Sequence, residues 1–94
     1  MDVAAMLTVL AEIRELLAQP DNDYSWSSFL DNDAALEEID AIVTEIQSTG
    51  HAPLMLRVLF APTGPIQEVA ISSGWGETFL VVVDRFDAAW AAGQ

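Results

Sequence analysis

Apolar residues recur at three- and four-residue spacing in the first half of the chain, which predicts two amphipathic helices. The first carries its apolar stripe from Val3 to Leu17, and Pro20 ends it because proline cannot continue a helix. The second begins at Asp33, a favourable N-cap residue, and is ended by Gly50. The acidic residues of both helices lie mostly off these stripes, so we expect them to face solvent.

The pattern changes in the stretch from Leu54 to Ser72, where it predicts an antiparallel β-hairpin. Residues 54–60 are apolar on both faces of a period-2 ladder, as in a strand that is covered on both sides. Pro62-Thr63-Gly64-Pro65 has the composition of a tight turn. In the resulting register Arg57 lies opposite Glu68, and we expect these two side chains to form a cross-strand ion pair.

The C-terminal segment fits two interpretations. Its β-branched residues suggest a third strand at 78–83, whereas the apolar stripe from Trp75 to Trp90 lasts about four turns and favours a helix. We choose the helix. The predicted fold is therefore α+β, a single domain over residues 1–94 with the order α-α-β-β-α, in which helices pack on the hairpin. The alternative is α-α-β-β-β with a short terminal helix.

Charge narrows the possible partners. The chain has 15 acidic residues against three Arg, a net charge of −12. Residues 1–49 hold eleven acids and one Arg (net −10), and residues 50–94 hold four acids and two Arg (net −2). Such a field repels nucleic acid and anionic lipid and attracts a basic protein. With no Cys, no leader-like start and no membrane-length apolar run, we expect a cytoplasmic protein that binds neither nucleic acid nor membranes.

Residues 21–33 combine turn-forming residues, acids and three aromatic side chains. The structural interpretation is a connection whose rings fold back onto the helices, and the functional one is a recognition loop with aromatic anchors among acids. A calcium loop fits the first three ligand positions, but Trp26 replaces the required Gly and Asn32 the required Glu. Trp75, between two glycines, either closes the core or is a further anchor. The candidate partner-binding residues are Asp21, Asp23, Tyr24, Trp26, Asp31, Asp33 and Trp75.

No group of residues identifies a reaction. The only histidine is His51, and no Glu-x-x-His motif accompanies the acids of the second helix. We predict no catalytic residue, metal or cofactor, and a small acidic, non-enzymatic interaction protein: an inhibitor, immunity-type or regulatory partner of a basic protein. One alternative is a small hydrolase that uses carboxylates and a divalent metal. Another is a homodimeric structural module without ligand.

Self-association is expected because the chain has more large apolar residues than a thin hairpin domain hides comfortably. The second half of the chain, with its low net charge, is the expected contact region of a homodimer. The candidate residues are Met55 and Leu59 on the outer face of the hairpin and Trp90 near the C-terminus.

Overall fold

The computed structural model describes residues 1–93, and all regular structure in this range is α-helical. The chain forms α1 (Val3–Leu17), α2 (Asn32–Thr49), α3 (Met55–Leu59), α4 (Pro65–Ser73) and α5 (Gly76–Ala91). The predicted α+β class is therefore wrong, while the two N-terminal helices and the C-terminal helix are confirmed. The alternative strand at 78–83 is also wrong, because these residues lie inside α5.

The segment predicted as a hairpin forms the two short helices α3 and α4. Its buried side chains follow helical spacing in each: Leu56 and Leu59 in α3, and Ile66, Val69 and Ala70 in α4. Apolar residues on both sides of a short run fit a buried helix as well as a strand. The alternation of apolar residues over 54–60 therefore did not distinguish a strand from a short buried helix.

The Pro-Thr-Gly-Pro sequence turns the chain between two helices. Pro65 is the first residue of α4, where a missing N–H costs nothing. At Gly64 an added Cβ would lie 2.7 Å from the Val58 carbonyl oxygen, so the close approach of α3 to this turn requires glycine. The predicted Arg57–Glu68 pair is not formed, and the Arg57 guanidinium lies over the Trp90 ring, 5.4 Å from its centroid.

The N-terminal caps show a shift in the start of α2. The Asp2 carboxylate accepts from the backbone N–H of Ala5 (3.0 Å) and caps α1. For α2 the cap is Asp31, which accepts from Ala34 (2.9 Å), rather than the predicted Asp33. Asp31 has the extended backbone that a cap needs, whereas Asp33 is already helical. Gly50 ends α2 in the left-handed conformation (φ 73°), as expected.

The first helix organises the packing, since α1 contacts both α2 and α5, α5 contacts α4, and α4 contacts α3. A stack of aromatic rings joins α3 to α5: the Phe60 and Phe86 ring centroids are 4.2 Å apart with nearly parallel planes. No polar or charged residue is buried within residues 1–93. No helix among these residues has the length and apolar character needed to cross a membrane.

Candidate functional site: the acidic loop

Residues 21–33, called the acidic loop below, connect α1 to α2 and include the first two residues of α2. The connection has little regular structure of its own. Its course is nevertheless defined by hydrogen bonds to three other parts of the protein. These contacts decide which of its side chains reach solvent.

Asn22 and Tyr24 attach the start of the loop to the C-terminus of α1. The Asn22 amide donates to the Leu16 carbonyl oxygen (2.7 Å), and the Tyr24 hydroxyl donates to the Leu17 carbonyl oxygen (2.6 Å). The last carbonyls of a helix have no partner within it, so both bonds also satisfy α1. Asn22 further accepts the indole N–H of Trp75 (2.9 Å), which ties the loop to the start of α5.

The middle of the loop is attached to α4. The backbone N–H of Asp23 donates to Ser73 Oγ (2.9 Å), and the Ser27 hydroxyl donates to the Pro65 carbonyl oxygen (2.9 Å). These bonds join the loop to both ends of α4. Phe29 is buried in the core and holds the remainder of the loop in place.

Trp26 and Leu30 project from this fixed loop into solvent. The exposed fraction is 74% for Trp26 and 85% for Leu30. Such exposure of a Trp side chain leaves a large apolar area in water, which favours contact with a partner. The exposed carboxylates Asp21, Asp31 and Asp33 belong to the same loop, and Asp23 is half-buried.

Sequence reasoning included Trp26 but missed Leu30. Leu30 directly precedes the N-cap Asp31, a position where an apolar side chain commonly packs against the fourth residue of the helix. In α2 that residue is Ala35, which is fully buried, and Leu30 remains exposed. The exposure of Leu30 could have been predicted from this pattern, because the small side chain of Ala35 offers it little surface to pack against.

Two of the predicted contact residues support the loop from inside. Trp75 is only 7% exposed, and its indole N–H is bonded to Asn22. Tyr24 is half-buried; burial raises the pKa of its phenol above the ordinary value, so the hydroxyl remains a proton donor at neutral pH. Both aromatic residues therefore fix the loop, and Trp26 is the aromatic residue left for a partner.

The electrostatics of this side of the protein are strongly negative. Between residues 15 and 56 the chain has nine acids and no Lys or Arg. The two ion pairs within residues 1–93 join Arg14 to Asp40 and Arg85 to Glu12. The hydrogen bonds from Arg14 and Arg85 lower the pKa of both carboxyl groups. The carboxylates of the acidic loop form neither of these pairs, so their charge is not neutralised by an Arg.

The acids of α2 do not form the cluster that a metal-dependent hydrolase needs. Within the described residues no three His, Asp or Glu side chains come close enough to hold a metal ion together. His51 is exposed just beyond the C-terminus of α2.

The three candidate residues for self-association differ in accessibility. Met55 is 49% exposed, and Trp90 is half-buried beneath Arg57. Leu59 belongs to the core with 2% exposure, because it occupies the inner face of α3 rather than the outer face of a strand. Leu59 is therefore inaccessible to a second copy.

Comparison with known proteins gave no match. No family model, no curated protein and no solved structure matches this chain. The geometry and charge of the surface are therefore the basis for a functional proposal.

Proposed function

We propose that this protein is a non-enzymatic interaction module whose acidic loop binds a basic protein, as an inhibitor, immunity-type or regulatory partner. The observation that carries the proposal is the exposure of Trp26, 74%, on a loop whose course is fixed by hydrogen bonds to α1, α4 and Trp75. Exposed Leu30 extends the apolar surface.

The fixed course of the loop lowers the cost of binding. A side chain or loop that must be ordered in a complex loses conformational entropy, and prior ordering avoids part of that loss. Trp residues are enriched among the few interface positions that contribute most of the binding free energy. Trp26 is accordingly the expected anchor, and it would enter an apolar pocket of the partner.

Charge determines the class of partner. The carboxylates around Trp26 and the net charge of −10 over residues 1–49 favour a partner with a basic surface. Complementary charge mainly speeds encounter and selects among partners, while the desolvated apolar contact supplies affinity. This division of roles predicts a complex that weakens with salt and depends strongly on Trp26.

Affinity capture from an extract of the source organism tests the proposal. The baits are the unmodified protein, Trp26→Ala, and Val81→Ala as a control that removes exposed apolar surface from α5. We expect the unmodified and control baits to retain the same basic protein and Trp26→Ala to lose it. Equal retention by all three baits, or capture only of acidic proteins, would contradict the proposal.

A fourth bait tests the contribution of charge separately from folding. Asp31→Asn removes one carboxylate of the loop, yet asparagine caps a helix about as well as aspartate, so α2 should be preserved. We expect this bait to capture less partner than the unmodified protein. An undiminished yield at low salt would exclude a role for Asp31 in the contact.

A further inference from the structure

Exposed apolar side chains at α3 and on α5 provide a second candidate contact surface. They are Leu54, the residue before α3, with Met55 and Val58 of α3, which are 75%, 49% and 51% exposed, and Leu80 of α5, 52% exposed. Between the two helices is a cavity of about 240 Å³, lined in part by Phe60, Phe79 and Phe86. This surface, with Arg57 and Asp87 at the cavity, is called the α3–α5 face below.

The charges of this face differ from those of the remainder of the protein. Residues 46–67 contain no Asp or Glu, and Arg57 is the one Arg among them. Arg57 and Asp87 both line the cavity. Neither forms an ion pair with any other residue of 1–93, where the paired Arg residues are Arg14 and Arg85. The face therefore presents one positive and one negative group beside apolar side chains.

We propose that the α3–α5 face binds a second copy of this chain in a two-fold dimer. In a two-fold contact every pairing occurs twice: if residue i of the first copy contacts residue j of the second, then residue j of the first copy contacts residue i of the second. Arg57 of each copy can then pair with Asp87 of the other. The exposed ridge of Leu54 and Val58 is placed against the cavity of the partner, so that apolar surface on both copies leaves water.

The charge distribution selects a second copy over other occupants. A basic partner is drawn to residues 1–49, with net −10, rather than to the acid-free segment around Arg57. Two copies repel each other through their acidic halves, and the repulsion is least where residues 50–94, with net −2, face each other. This inference goes beyond the proposed function, because the residues that form the α3–α5 face include neither Trp26 nor Leu30.

Sedimentation equilibrium over a range of protein concentrations tests the dimer. Val58→Glu places a charge on the face without entering the core, and Ile71→Glu, at a residue 64% exposed on α4, is the matched control. At about 100 µM we expect the unmodified protein and Ile71→Glu to be dimeric, and Val58→Glu to raise the dimer Kd at least about tenfold. A monomeric unmodified protein, or equal effects of the two substitutions, would overturn the proposal.

A charge exchange tests the predicted pairing. Arg57→Asp and Asp87→Arg should each weaken the dimer because each brings like charges together across the two-fold axis. The double variant restores an attractive pair and should recover most of the affinity. Circular dichroism of each variant confirms that the helices remain. If the folded double variant is no more dimeric than the single variants, Arg57 and Asp87 do not pair between copies.

Discussion

Asn22 is the residue on which the candidate site depends most directly. The amide nitrogen of its side chain donates to the Leu16 carbonyl oxygen at the end of α1, and the amide oxygen accepts from the Trp75 indole. Both the donor and the acceptor of this side chain therefore have partners. Trp75 in turn fills the end of the core before α5 begins. The start of the acidic loop is therefore held by a hydrogen bond between residues that are far apart in sequence.

Substitution of Trp75 by Phe tests this bond. Phe keeps an aromatic ring in the core but cannot donate a hydrogen bond to Asn22 Oδ1. We expect the free energy of unfolding to fall by about 0.5–1.5 kcal/mol, the net contribution of a hydrogen bond whose acceptor, on half-buried Asn22, loses its partner. Urea denaturation followed by far-ultraviolet circular dichroism measures this change.

Trp26→Phe is the matched control, because it alters the same kind of side chain at a position 74% exposed. Its effect on the free energy of unfolding should stay within about 0.5 kcal/mol. Similar losses for both variants would mean that the bond to Asn22 has no special part in stability.

The aromatic and acidic composition of the loop was visible in the sequence, but the direction of each ring was not. Tyr24, Trp26 and Trp75 are all amphipathic, and the same residue types serve in cores and at interfaces. The course of the loop is set by contacts of Tyr24, Asp23 and Ser27 with Leu17, Ser73 and Pro65. Ser73 and Pro65 belong to α4, and a pattern that predicts a strand there cannot indicate these contacts.

Among the secondary-structure elements, the spacing of apolar residues predicted correctly those helices over which it is maintained for several turns. The stripes of α1, α2 and α5 last for four turns or more, and a period-2 alternation cannot imitate them over that length. The short helices α3 and α4 have five and nine residues. Over so few residues a buried helix and a buried strand give the same apolar run. The turn signal at 62–65 was correct in position, and only the elements it joins were wrong.

The contact between α1 and α2 makes a pH-dependent prediction. Arg14 donates to the Asp40 carboxylate and lowers the pKa of that group below its ordinary value. Between the native and the ordinary pKa of Asp40, the native state therefore binds fewer protons than the unfolded state. The stabilisation from the ion pair is complete above the ordinary pKa of about 3.9. It is lost as the pH falls through the lower pKa that Asp40 has in the native state. Asp40→Asn should therefore destabilise the protein at pH 7 and lose this effect in acid.

Glu45→Gln is the control, since it removes the same charge from an exposed position of α2 outside either ion pair. The difference in free energy of unfolding between the two variants, from urea denaturation, should be clear at pH 7 and should shrink as the pH falls below about 3.9. A difference that persisted in acid would show that Asp40 acts through something other than its charge.

At the scale of the whole molecule, net charge is the property that the sequence predicted most completely. No described carboxylate is buried, and only two are paired with Arg within residues 1–93. Self-repulsion therefore outweighs attraction at low ionic strength. Added salt should screen this repulsion and stabilise the fold.

The Tm, followed by circular dichroism, should rise as ionic strength is increased from about 0.01 to 0.15 M, where the Debye length shrinks from about 30 to 8 Å. The double variant Glu37→Gln/Glu45→Gln carries two fewer charges on α2 and should show a smaller rise. A Tm that fell with added salt would mean that the two Arg–carboxylate pairs outweigh the repulsion.

The role of Trp26 is measured most directly by the Kd for the captured basic partner, from isothermal titration calorimetry with the unmodified protein, Trp26→Ala and Ile71→Ala. We expect Trp26→Ala to raise the Kd about 30-fold or more, as for an interface residue worth about 2 kcal/mol, and Ile71→Ala to leave it unchanged. The same Kd for all three proteins would show that Trp26 on the acidic loop is not the anchor of the complex.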